Sequence, residues 1–239
     1  MKKDFLKDLN NSHWLFINTG SRDGAFNMAC DEYLLDGLIN DLFQNPILRL
    51  YAWDEPTVSL GINQKSTENS MGSFPVVRRI SGGQAVFHGN SKDELTYSVF
   101  LPYKGSAREL YKELATVFFY FLKMYNLDAG FGYSNTSYRK QFDCFLTSTS
   151  GDITVGDIKV IGSAQCRKCR KKNYILQHGA IKIDKINKIS KKDINFNEAV
   201  YNLKVSFEQV LKINFLNYSF PDDVYEKISS CKKTVSLVL

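Results

Sequence analysis

Residues Val76 to Asn90 read VVRRISGGQAVFHGN and crowd Arg78, Arg79, the pair Gly82-Gly83 and His88 between two apolar segments. One reading is a turn joining two strands, with both glycines at positive φ and the arginines solvated. The other is a shaped loop wrapping a ligand, because ELTYSVF, Glu94 to Phe100, alternates as a further strand and holds the segment from its far side. Five cysteines (Cys30, Cys144, Cys166, Cys169, Cys231) are an odd number without a disulfide-framework spacing, which fits a reducing compartment and leaves at least one thiol for chemistry. Cys166-Arg-Lys-Cys169 has the two-ligand spacing of a zinc knuckle, but no second Cys/His pair completes a tetrahedral set. No metal site is expected, and the pair reads as an incidental surface feature open to oxidation in vitro. The densest basic run, RKCRKK from Arg167 to Lys172, is either a solvated loop or a patch that docks an acidic carrier protein. No nucleic-acid module surrounds it.

The elements that must position these residues follow from periodicity. Ala25 to Asp41 spaces its apolar residues helically, with Cys30 as packing, and ILRLYAWDEPTVSLGINQ reads as two strands around Asp54-Glu55-Pro56. Ser106 and Glu109 form a capping box ahead of the stripe Leu110, Leu114, Val117, Phe118, Phe121, Leu122 and Tyr125, a core-facing helix. Ala129 to Asp143 has no sustained period and is expected to be a mobile loop. DITVGDIKVIGSAQ predicts a hairpin turning at Gly156-Asp157, and YILQHGAIKI a further strand. Strands and helices without regular alternation predict an α+β fold with a mixed, largely antiparallel sheet flanked by helices.

At 239 residues, with 44% hydrophobic and 13% aromatic content, the chain suffices for one domain spanning 1–239, its 184–239 segment helical, and disorder as a whole is excluded. The charged N-terminus has no apolar stretch after its lysines, and TVFFYFLKMY is too short to span a bilayer, so a soluble cytoplasmic protein without membrane partners is expected. A formal charge of +6 favours acidic partners and does not demand nucleic acid.

RRISGGQAVFH resembles the R-R-x-S/T-G-G-x-A-V-x-H signature of the biotin and lipoate protein ligase superfamily, and GDIKVIGSAQ with LQHGAI resembles its second block. The likeness runs from Trp14 to Ile183 in the family's order. It implies that the arginine-glycine loop encloses a fatty acyl or lipoyl group, bound by Arg79, Ser81, Gly82, Gly83, His88, Gly162, Ser163 and His178, and that Lys159 lies at the reacting carbonyl. CFLTSTSGDITVGDIKVIGSAQ further resembles the cysteine-dependent octanoyltransferase branch, which places its nucleophile where Cys144 stands. Gln84 stands where that branch has arginine and the ligases usually glycine. His88 and His178 either line the acyl tunnel or satisfy buried hydrogen bonds; Arg79 anchors the loop or meets a carrier phosphate, and Arg78 is solvated.

Thiolate attack on a thioester yields another thioester, and aminolysis to an amide is downhill, so this chemistry needs no cofactor or nucleotide. Lys159 as ammonium would favour the Cys144 thiolate and exchange protons with leaving thiol and entering amine. Alone, Cys144 would read as an inert buried thiol. Three functions therefore stand: octanoyl transfer from octanoyl-acyl-carrier protein to a lipoyl domain or glycine-cleavage H protein; ATP-dependent lipoate or octanoate ligation; and a non-catalytic acyl-binding or carrier-docking role.

Overall fold

The computed structural model describes residues 12–64, 73–133, 145, 149, 151–170 and 172–231. β1 (His13–Arg22) ends at Asp23, whose carboxylate accepts from Phe26 N and starts α1 (Gly24–Ile39). The chain returns in β2 (Ile47–Trp53), parallel to β1, so the first three elements form a βαβ crossover. Every residue of β2 is buried, which suits a strand covered on both faces. Beyond the turn at Asp54-Glu55-Pro56, β3 (Thr57–Leu60) leaves for a small sheet, flanked by β4 (Val76–Arg78) and β5 (Val86–His88) in the order β4-β3-β5. The strands around the glycine loop are thus not paired with one another; β3 lies between them.

β6 (Glu94–Pro102) rejoins the large sheet antiparallel to β2 and leads to α2 (Ala107–Lys123). The Ser106/Glu109 capping box is present, and six residues of the stripe, Leu110 to Leu122, are buried on α2, with Tyr125 buried just beyond its end. Residues Ala129–Phe131 form β7, where a loop was expected, and Ser134 to Asp143 lie outside the described residues. β8 (Ile153–Val155) and β9 (Ile158–Cys169) make the hairpin turning at Gly156-Asp157, and β10 (Asn173–Lys182) pairs with both β9 and β6. α3 (Ile183–Ser190), α4 (Phe196–Leu211), β11 (Asn214–Asn217) and α5 (Asp222–Cys231) follow. Within the 184–239 segment, expected to be helical, the three helices are joined by the short β11, which extends the sheet parallel to β1.

The eight-stranded sheet runs β11-β1-β2-β6-β10-β9-β8-β7, antiparallel except where β1 meets its two neighbours. Alternation sorts its side chains between two cores. Leu48, Leu50, Tyr97 and Val99 face α2 and α4, whereas Ile47, Tyr51, Trp53 and Phe100 face α1 and α5. It is a mixed, mostly antiparallel α+β fold.

Candidate active site

Strand register builds one wall of the site. β10 places His178, Gly179 and Ala180 opposite Ala164, Ser163 and Gly162 of β9 on one side and Ser98, Tyr97 and Thr96 of β6 on the other. Gly179 is obligatory here, since a Cβ would come within 2.2 Å of Gly162 O. The small sheet supplies the other wall, and together they line a cavity with Met28, Tyr51, Trp53, Val86 and Ala180 among its apolar surfaces. Ser59, Arg79, Gly83, His88, Thr96, Asp152, Lys159, Gly162, Ser163 and His178 are also in its lining.

Arg79 is an anchor for the glycine loop. Its Nη1 donates to Ser59 O (2.7 Å) and its Nη2 to Gly82 O (2.8 Å) and Gln84 O (2.7 Å). Arg78, expected to be solvated, instead donates to Gly61 O (2.8 Å) and Gln64 O (2.7 Å), because the chain after β3 turns its carbonyls towards it. Of the glycine pair only Gly83 adopts a positive φ, +96°; Gly82 does not.

Both histidines belong to buried Ser-His-carboxylate chains. His178 Nδ1 lies 3.0 Å from Asp31 Oδ2 and its Nε2 lies 2.5 Å from Ser81 Oγ. Asp31 is ion-paired to Arg49, Nη1 to Oδ1 2.7 Å, and also accepts from Ser98 Oγ at 2.8 Å. Burial would raise the Asp31 carboxyl, but Arg49 and His178 outweigh it and hold the group below its ordinary value. In the second chain His88 Nδ1 lies 2.5 Å from Glu94 Oε1, Nε2 lies 2.8 Å from Ser59 Oγ, and the ring stacks on Trp53 at 3.9 Å. Burial lowers the His88 pKa against the pull of Glu94. Glu94 itself, ion-paired with Lys182, is pulled down to about 2 despite burial, which acts the other way. An ionised carboxylate at each Nδ1 places the proton there, so in the neutral rings Nε2 accepts from the serine hydroxyls. Ser81 is buried behind His178 and does not line the cavity.

Lys159 stands at the cavity wall, 5% exposed, with Asp152 Oδ2 at 3.0 Å. Asp152 Oδ2 also accepts from Thr149 N at 2.7 Å, which ties the preceding segment to the lysine. Phe145 presents its ring to Lys159 Nζ (4.7 Å), Lys182 Nζ (4.8 Å) and Lys185 Nζ (5.2 Å). Cys144 lies outside the described residues; in the chain it directly precedes Phe145. The structure thus brings Arg79, Gly83, His88, Lys159, Gly162, Ser163 and His178 to one cavity, with Gly82 on an adjoining groove. Asp31, Arg49, Glu94, Asp152 and Lys182 were not foreseen. Arg49, a charge inside the apolar run ILRLYAW, was the available signal, since a buried charge requires a partner.

Cys30 is packed in the core, where burial lifts its thiol to about 12, an unreactive position. Cys166 and Cys169 both lie on β9. Three positions along a strand put them on opposite faces with Cα atoms roughly 10 Å apart, too far for a disulfide between the two. Among the described residues no group of His, Cys, Asp and Glu is arranged to hold a metal ion, and no helix is long and apolar enough to cross a membrane.

Comparison with known proteins decides the lineage. The family model for the lipoyl protein ligase A/B catalytic domain matches residues 23–207, which contain every element of this cavity. The chain belongs to that family. Within the lipoyl protein ligase A/B family it is 38% identical over 181 residues to the octanoyltransferase LipM of Carboxydothermus hydrogenoformans, covering 71% of this chain and 65% of that one. It is 30% identical over 259 residues to the LipM of Anoxybacillus flavithermus, covering 88% and 90%. The chain spans about two thirds of the length of most of these LipM relatives. Among solved structures, the T. acidophilum protein Ta0514 with bound lipoic acid has a TM-score of 0.68 at 21% identity, covering 94% of each chain. Lipoate-protein ligase A bound with ATP has a TM-score of 0.66 at 21% identity, covering 94% and 93%. At this identity the likeness concerns the fold.

Proposed function

We propose that this chain, as a single catalytic domain acting in the cytoplasm, transfers an octanoyl group from octanoyl-acyl-carrier protein through a thioester on Cys144 to the target lysine of a lipoyl domain or glycine-cleavage H protein. The observation that carries the reading is the buried Lys159 at the cavity wall, under the ring of the residue that follows Cys144. The octanoyltransferase LipM relatives support octanoyl transfer as the reaction class.

In the first step the Cys144 thiolate attacks the octanoyl thioester carbonyl. The tetrahedral oxyanion collapses with expulsion of the carrier thiolate, which takes a proton from Lys159. Backbone N–H groups of the glycine loop would stabilise that oxyanion by hydrogen bonding. In the second step the neutral acceptor lysine amine attacks the Cys144 thioester, the resulting adduct passes one proton to Lys159, and the amide forms as Cys144 leaves as thiolate, restoring the starting Lys159 ammonium and Cys144 thiolate. Asp152 holds the Lys159 Nζ in place through both steps.

Intact-mass measurement after incubation with octanoyl-carrier protein tests this. The chain gains an octanoyl adduct without ATP, and Cys144→Ala abolishes both adduct and transfer. Lys159→Ala retains the fold and loses about 10²- to 10⁴-fold in rate. Full activity of Cys144→Ala with stimulation by ATP would put ligation in place of transfer. Binding without any acyl movement would leave a non-catalytic acyl-binding role.

A further inference from the structure

A second groove adjoins the cavity and shares Gly83, Thr149, Ser163 and Ala164 with it. Its remaining lining includes Arg108, Tyr111 and Lys112 of α2 and Gln165 of β9. Arg108 and Lys112 are four residues apart, so they rise from one helix face about 6 Å apart along the axis. Neither makes an ion pair with a described residue. The neighbouring acid, Glu109, is turned back into the capping box with Ser106.

Gln165 supplies an independent observation. Its Nε2 donates to Gln177 Oε1 (2.7 Å) and Ala107 O (3.2 Å), and Gln177 Nε2 in turn donates to Tyr97 Oη (3.2 Å). A flipped amide would set oxygen against oxygen, so the orientation is fixed. Gln165 Oε1 is then a buried acceptor without a donor among the described residues. Buried acceptors are normally satisfied, and this one belongs to a residue lining a groove whose Arg108 and Lys112 form no ion pair with a described residue.

We propose that this groove receives the phosphopantetheine arm of the acyl carrier, a deepening that rests on the transferase reading. Arg108 and Lys112 bracket the phosphodiester, an arm amide N–H satisfies Gln165 Oε1 after a small side-chain rotation, and the thioester passes Ser163 and Gly83 to reach Lys159. The groove offers what this ligand needs: cationic side chains for the anion, the Gln165 acceptor for an amide, and a lining shared with the cavity at Gly83, Thr149, Ser163 and Ala164 for the thioester. A polyphosphate would instead present anionic oxygens to the Gln165 acceptor.

Binding to Cys144→Ala, measured by calorimetry, tests the proposal without catalysis. Octanoyl-phosphopantetheine should bind about tenfold more tightly than octanoyl-pantetheine, as two exposed charge contacts imply. Adding Arg108→Ala and Lys112→Ala should bring the ratio near one, with circular dichroism unchanged. Equal affinities in Cys144→Ala would overturn the proposal, as would ATP binding that is lost in the triple variant while the phosphopantetheine preference persists. Apo-carrier lacking the arm, if it bound as tightly as holo-carrier and equally lost affinity in the triple variant, would reassign the cations to the carrier's surface. Adduct formation on the unaltered chain from octanoyl-pantetheine, which has no phosphate, reports on the transferase reading separately. Its absence would sink that reading and leave the groove to be judged by the binding ratio.

Discussion

Asp31→Asn removes one negative charge and little volume from the centre of the molecule. Asp31 and Arg49 are 1% and 0% exposed and meet at 2.7 Å. At that distance, with an effective dielectric constant of about 20, their attraction is about 6 kcal/mol, opposed by the cost of taking both from water. Arg49 keeps Thr19 Oγ1, Asn27 O and Asn27 Oδ1 as acceptors, but among the described residues it loses its carboxylate partner. Breaking a buried pair from one side costs about 3–5 kcal/mol, a large part of the roughly 5–15 kcal/mol typical of a folded domain. Urea denaturation at pH 7 should show that loss, and the melting temperature should fall by about 6–20 °C for a chain of this size. Asp31→Asn combined with Arg49→Met should be more stable than the sum of the single variants by at least about 2 kcal/mol, because neither charge is then stranded. A loss below about 1 kcal/mol in Asp31→Asn, or strict additivity, would refute the reasoning.

Gly162→Ala places a methyl group 2.9 Å from Lys159 Cε and 3.1 Å from Phe145 Cζ; displacing the lysine should slow octanoyl-adduct formation about 10²-fold, read by intact mass against time. Acid should destabilise the fold in two stages. Below pH 6.5 the unfolded His88 takes up a proton that its buried ring resists. Between pH 4.5 and about 2 the Glu94 contribution, on the order of 3 kcal/mol, is lost as its carboxylate is protonated. Urea midpoints from about pH 8 to about pH 3 check this, and a flat profile would contradict it. With a net charge of +6, raising ionic strength should increase KM for carrier-bound octanoate far more than for a small octanoyl thioester; equal sensitivity would remove electrostatic steering.

Elements with a strong local signal were legible in the chain. The Ser106/Glu109 box and the stripe behind it specify α2, and Gly156-Asp157 between two alternating runs specifies the β8-β9 hairpin. β11 was not legible, since NFLN has no alternation to distinguish it from a connection, and its partner is remote in sequence. Nor does any residue of TVSL announce that β3 deserts the sheet of β2, because both strands are equally buried. In the site, the glycines and histidines stood out by motif. The acids and bases behind them did not, for Asp31 lies in a helix and Glu94 at a strand start where charge is ordinarily solvent-facing. Their roles come from tertiary register, which brings side chains of α1, β2, β6 and β10 to one point.

The pairing of β11 with β1 bears on the order of synthesis. His13 meets Asn214 at the far end of the described chain, among the most non-local contacts a chain of this length can make. While the polypeptide is being made, β1 and β2 can pair early, but the outer edge of β1 keeps its unpaired amides and carbonyls until β11 has emerged. A nascent or prematurely terminated chain ending before Asn214 therefore carries a ready template for pairing with another molecule. The four short residues of β11 act as a closing strip for that edge.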